Sequence, residues 1–176
     1  RSASDTTPGL VRSATQSVAV VRKYHVAVQG GGQPQLITEF TWPSVVNGLY
    51  VGKAIAYAPL GQGGQGDAVF VAVQGPCPEC EAIANVDYIL LKLDASGLAL
   101  PAPTAPWGTP PRYNGPSSLD DIPVGIAVTT DRVIVTGSSE RVDAFGNIGR
   151  DIATVSYLRS DPAPATRWVQ RYEGAG

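Results

Sequence analysis

Asp67-Ala68-Val69-Phe70-Val71-Ala72-Val73-Gln74-Gly75 lies over Asp131-Arg132-Val133-Ile134-Val135-Thr136-Gly137-Ser138-Ser139 at an offset of 64 residues. Each stretch has an acid, then alternating apolar residues, then small polar ones. Alternation with period two is the mark of a half-buried strand, because successive side chains point to opposite faces. The same offset of 64 carries Asp87 onto Asp151, and an apolar run follows each aspartate: Tyr88-Ile89-Leu90-Leu91 and Ile152-Ala153-Thr154-Val155. A repeat of this length calls for a stack of equivalent units and outranks any local reading.

Further matches lie on both sides. Upstream, Ala54-Ile55-Ala56-Tyr57 pairs with Gly125-Ile126-Ala127-Val128 at an offset of 71. Downstream, Arg112-Tyr113-Asn114-Gly115 pairs with Arg171-Tyr172-Glu173-Gly174 at an offset of 59. Loops of different length account for the differing offsets. Each full unit has four apolar runs, which in the last unit are Val124–Val128, Arg132–Thr136, Ile152–Tyr157 and Trp168–Tyr172. They are rich in Val, Ile, Thr and Tyr and bounded by Gly, Pro, Asp and Ser, as strands are. No window carries the i, i+3, i+4, i+7 pattern of an amphipathic helix.

A partial copy opens the chain. Val18–Tyr24 reads like the run ending at Tyr157, and Gln35–Phe40 reads like Arg167–Tyr172. A rival register rests on Val26-Ala27-Val28-Gln29-Gly30, which is identical to Val71–Gly75. The first register fits two segments and is preferred. The expected organisation is a partial first unit with an N-terminal extension (1–45), a second unit (46–116) and a third (117–176).

Four antiparallel strands per unit is the composition of a propeller blade, and one such sheet cannot bury both of its faces alone. The pattern V-x-V-T-G-S, then D-x-A-T-V-x-Y, then W-x-x-x-Y-x-G resembles bacterial β-propeller repeats of the SBBP type. The likeness is strongest over 117–176, fair over 52–116 and weak before 45. Tyr88-Ile89-Leu90 and the proline-rich Pro101–Pro111 depart from it. The resemblance implies an all-β fold of about two and a half to three four-stranded blades, an incomplete ring unless another chain completes it. That family is a scaffold, so the resemblance implies no reaction.

Composition agrees with an all-β chain. The 176 residues include 20 Gly and 15 Pro, 43% are apolar, and the net charge is −2. Residues 1–50 hold four basic and two acidic groups, and 101–176 hold seven and eight, so no basic footprint for nucleic acid exists. No apolar run approaches the roughly 18 residues of a membrane-spanning helix. With no methionine, Arg1 is not an initiator; a removed leader or a longer chain is expected. An extracellular or cell-surface setting follows from that reading and from the cysteine pair.

The candidate sites are sparse. Cys77 and Cys80 are expected to form a small disulfide clipping the loop Pro76–Val86; free thiols are the alternative. Zinc would need ligands this chain lacks, since there are only two Cys and one His. Glu140, Asp143, Asn147 and Asp151 are calcium candidates, although their spacing fits no EF-hand and solvated acidic loops look the same. Gly61–Gly66 matches G-x-G-x-x-G, but a strand follows where the phosphate mechanism needs a helix. His25 lies in a strand-like run with no nucleophile motif beside it. The tryptophans, Phe40, Tyr113 and Tyr172 recur with the repeat and are expected to pack between blades.

Three functions remain open. The first is a non-catalytic scaffold or binding module that takes a protein or glycan ligand on the loops Leu60–Gly66, Pro76–Val86, Leu98–Pro111 and Ser138–Arg150. The second is a self-assembling subunit or fragment, whose partner is another copy or further blades. The third is part of a propeller hydrolase or lyase, which a chain with one histidine disfavours. No cofactor is expected, calcium excepted.

Overall fold

The computed structural model describes residues 19–25, 33, 35–41, 50–59, 67–76, 85–95, 98, 101 and 107–173. Among these lie ten strands: β1 (Val20–His25), β2 (Gln35–Thr41), β3 (Val51–Ala58), β4 (Ala68–Pro76), β5 (Val86–Asp94), β6 (Arg112–Tyr113), β7 (Asp121–Val128), β8 (Arg132–Val142), β9 (Ile148–Leu158) and β10 (Trp168–Tyr172). Apart from them there is one turn of 3-10 helix at Pro164–Thr166. The strands form a two-stranded sheet, β1-β2, and two four-stranded antiparallel sheets, β3-β4-β5-β6 and β7-β8-β9-β10.

The two large sheets have one register. Ala68 pairs with Asp94 and Gly75 with Asp87; 64 residues on, Arg132 pairs with Leu158 and Ser139 with Asp151. Ile55 pairs with Val71, and Ile126 with Val135. Tyr88 pairs with Tyr113, and Ile152 with Tyr172. The bulge repeats as well, between Gly52 and Ala54 in one sheet and between Pro123 and Gly125 in the other. All three sequence offsets are therefore offsets of the hydrogen-bond ladder. The N-terminal pair departs from this register: Phe40 faces Val21, which the sequence match aligns with Thr154, whereas Tyr172 faces Ile152, two residues away.

The sheets stack face against face in three layers. One core lies between the large sheets, where Phe70, Ala72, Tyr88, Leu90, Trp107 and Tyr113 meet Val133, Val135, Ala153, Val155 and Tyr157. A second lies between the middle sheet and the N-terminal pair, where Val71, Val73, Ile89, Leu91 and Leu93 meet Ala19 and Val21. Trp107 sets its ring edge toward Phe70 at 5.4 Å, and its indole nitrogen donates to the Arg159 carbonyl at 2.8 Å. Lys92 crosses the same seam, donating to that carbonyl at 2.9 Å.

Two expectations are corrected. Ser138–Arg150 is not an open loop; β8 and β9 run through most of it and pair out to Val142 and Ile148. Trp168 and Tyr172 do not pack between sheets as Trp107 and Tyr113 do. They lie on the outer face of the last sheet, which no described residue layer covers, and Tyr172 is 64% exposed.

Gly137 marks the tightest point between β7 and β8. A Cβ there would strike the Ile122 carbonyl oxygen, and would lie 2.8 Å from Pro123 Cα and 2.7 Å from the Tyr88 hydroxyl. Two of these three are backbone atoms, which cannot swing aside. Gly137→Ala is expected to cost about 1–3 kcal/mol in denaturant unfolding. At Gly52 a Cβ meets nothing within 4 Å, so Gly52→Ala is expected to be near neutral in the same measurement.

Candidate functional site

Cys77 and Cys80 lie outside the described residues, as does the Gly61–Gly66 run. His25 closes β1, opposite Gln35. The four calcium candidates are all placed, and the sheet separates them. Asp151 pairs with Ser139 on the inner face, whereas Glu140 pairs with Arg150 one residue on, so its side chain belongs to the opposite face.

Each candidate side chain also has a partner of its own. Glu140 takes Arg150 at 2.8 Å on the surface. Asp143 closes the hairpin turn, accepting from the Phe145 and Asn147 backbone amides at 2.8 Å each and from the Asn147 side-chain amide at 2.9 Å. The Asn147 donors hold the Asp143 carboxyl below its ordinary range. Asp151 is buried between two arginines: Arg141 Nε at 3.0 Å and Arg171 Nη2 at 2.8 Å. Among the described residues no group of three or more His, Cys, Asp or Glu converges as a metal cage.

Asp151 instead anchors a polar network at the seam of the large sheets. Arg171 donates from Nη2 to Asp151, and from Nη1 to the Ser139 hydroxyl at 2.7 Å and the Tyr113 hydroxyl at 2.9 Å. It thereby ties β10, β9 and β8 of one sheet to β6 of the other. Asp121, at the start of β7, accepts the Gly115 backbone amide. Burial raises its carboxyl above the ordinary value of 3.8, opposed by the Ser139 hydroxyl, the Gly115 amide and Arg171. The Tyr88 hydroxyl donates to the Ser138 carbonyl at 3.2 Å, and burial, with Asp121 nearby, raises its pKa well above the ordinary value of 10.0. These groups are held by one another, and none faces solvent as a nucleophile or base would.

The solvent-facing surface lies at one end of the stack. Three hydrogen bonds gather its loops: Asn85 Nδ2 to the Ser118 carbonyl at 2.8 Å, Val86 N to Asp120 Oδ1 at 3.2 Å, and Val142 N to Ser117 Oγ at 3.1 Å. From that end the β8–β9 hairpin projects. Its tip carries Phe145, 89% exposed, with Val142 and Ile148 paired below it. Gly146 sits at φ 84°, in the left-handed region that glycine accepts without strain, and so allows the tight turn that Asp143 closes. The fixed turn thus presents an exposed phenylalanine. Sequence reasoning singled out the acids of this hairpin and missed Phe145; the apolar Val142, Phe145 and Ile148 within an otherwise polar stretch were the available signal.

No family model matches the chain, and neither a curated protein nor a solved structure matches it.

The network yields two tests. Arg171→Met leaves Asp151 with a single cation and is expected to cost about 2–4 kcal/mol, whereas Arg150→Ala on the surface is expected to cost less than about 1. Because the fold binds the Asp121 proton more tightly than the unfolded chain does, that carboxyl's contribution to stability falls as pH rises from its ordinary 3.8 through the raised folded value. Asp121→Asn is therefore expected to gain stability relative to the parent across that window, measured by urea unfolding at a series of pH values.

Proposed function

We propose that the chain is an array of propeller-type blades that works as a non-catalytic scaffold, contacting a protein or glycan ligand through loops and completed by further blades or by another copy of itself. The carrying observation is the repeated ladder. Two four-stranded antiparallel sheets share one register down to the bulge and lie face to face, with β3 close to β7. Units that pack this way add along the stack, and the outer face of the last sheet has the place that the middle sheet's covered face has.

That equivalence favours one surface for association. Tyr88 and Tyr113 are buried, at 2% and 3% exposure; their counterparts Ile152 and Tyr172 are 54% and 64% exposed. Trp168 adds to the same outer face, around a Thr136–Thr154 hydroxyl pair at 3.0 Å. Uncovered aromatic and branched side chains in one patch favour contact with another surface. The ligand contact is assigned to the end of the stack that bears Phe145, where three loops are tied together.

The scaffold reading is favoured over a hydrolase or lyase because the carboxylates and arginines of the seam are consumed by each other. A setting outside the cell is part of the proposal and rests on the sequence alone. Among the described residues no helix is long and apolar enough to cross a membrane.

Sedimentation equilibrium is the decisive measurement. The chain is expected to show a mass above 18.3 kDa that rises with concentration. Ile152→Lys with Tyr172→Lys is expected to return it to the monomer while leaving the thermal midpoint within a few degrees. A compact monomer at every concentration would overturn the association reading.

A further inference from the structure

A pocket of about 280 Å³ opens along the fourth-strand edge of the two large sheets. Its walls are matching segments of successive units: the residues that lead into β6 and those that lead into β10. Pro110 and Pro111 stand on the first wall, Pro162 and Pro164 on the second, and Arg112 and Arg167 complete the lining that matters here. The volume lies at the low end of small-molecule sites, the size of a single-ring ligand.

Both walls are pinned. The Pro111 carbonyl accepts the Leu90 amide at 3.1 Å. On the other wall Asp161 Oδ1 accepts the Ala163 amide at 2.9 Å, and the Thr166 hydroxyl donates to the Asp161 carbonyl at 3.1 Å. Four proline rings add walls whose φ is already fixed, so little conformational freedom is lost on binding. Arg167 spans the gap: its Nη1 donates to the Arg112 carbonyl, on the opposite wall, at 3.0 Å, and its guanidinium carbon lies 6.0 Å from the Tyr113 ring centre. That carbonyl takes one of the five N–H donors of the guanidinium. Arg112 is held as well, with Nη1 2.6 Å from the Pro76 carbonyl, and its side chain remains 28% exposed. The acid of the lining is Asp161, one of whose oxygens is committed to its own turn. Two cations against one acid make the lining positive in a chain whose net charge is −2.

We propose that this pocket binds a small aromatic carboxylate, with the ring between the two proline walls and the carboxylate on Arg167, next to the charge of Arg112. The planar guanidinium matches a carboxylate in shape and charge, and a charge-assisted bond of this kind is among the strong ones. Rigid proline faces are apolar partners for a flat ring, as proline-rich segments are for aromatic-lined grooves. The site uses neither the outer face of Ile152, Trp168 and Tyr172 nor the Phe145 tip. It goes beyond the scaffold reading and stands if that reading fails.

The probe is phenylacetate, titrated into the full chain and followed by the backbone amide signals in NMR. Saturable one-to-one binding is expected, with shifts at Thr109, Arg112, Ala163 and Arg167 and none at Phe145. Phenylacetamide, the neutral analogue of the same shape, is expected to bind about tenfold more weakly or worse. Arg167→Gln is expected to weaken phenylacetate by about tenfold or more with an unchanged circular dichroism spectrum. Arg150→Ala, outside the pocket, is expected to leave binding unchanged. Should Arg167→Gln fail to fold, the phenylacetamide comparison and the shift map of the parent chain decide. Absence of saturable binding, shifts centred elsewhere, equal binding of phenylacetamide, or a folded Arg167→Gln that binds as the parent does would each overturn the proposal. So would equal competition by inorganic phosphate, which would mean that any anion is taken.

Discussion

The central strands of the middle sheet, β4 and β5, are buried on both faces, and most of the structure follows from that constraint. Phe70, Ala72, Tyr88 and Leu90 point one way into the seam with the last sheet, while Val71, Val73, Ile89 and Leu91 point the other way toward the N-terminal pair. A strand covered on both sides must be apolar at every position, and β4 and β5 are nearly so. Among the described residues β8 and β9 are covered on one side only, and Val133, Val135, Ala153 and Val155 alternate with Ile134, Thr136, Ile152 and Thr154. The middle layer fixes the distance at which its neighbours sit, and the neighbours need only one apolar face each.

Within that stack an aspartate–arginine pair recurs where the third and fourth strands of a unit meet. Asp151 lies 2.8 Å from Arg171, and in the preceding unit Asp87 lies 3.7 Å from Arg112. The two pairs have diverged through the residue opposite the aspartate. Ser139 offers a hydroxyl that Arg171 engages, whereas Gly75 leaves room for the Tyr50 ring, and Arg112 turns to the Pro76 carbonyl at 2.6 Å. A buried pair of this kind does little for net stability but penalises any register that separates its members. A one-residue slip of β10 would carry Arg171 to the outer face and leave Asp151 with Arg141 alone.

The all-β class and the strand order were legible because they rest on period and offset, which survive changes of loop length. The offsets of 64, 71 and 59 became ladder registers because each was read within a strand pair, where insertion is forbidden. Where chemistry was read from composition, less survived. Glu140 and Asp151 were grouped by proximity in sequence, yet the β8–β9 register sets Glu140 opposite Arg150 and Asp151 opposite Ser139, on opposite faces, and each had an arginine waiting. Trp168 and Tyr172 were read as packing residues because Trp107 and Tyr113 are. Identity of position in a repeat does not carry identity of environment at the last unit of a stack.

The distribution of charge explains why surfaces rather than reactive groups carry the functional reading. A catalytic acid or base has to keep an open valence toward solvent or substrate. Asp151 instead has both oxygens engaged by arginines, and Arg171 spreads its donors over three partners. Lys92, its charged form disfavoured first by burial and then by Arg159, lies over the Phe70 and Trp107 rings and donates into the seam. The exposed apolar positions include the face of Ile152, Trp168 and Tyr172, Ile55 on the middle sheet, and the hairpin tip at Phe145. These are places that another polypeptide can cover, and covering them removes apolar surface from water without asking any buried charge to move.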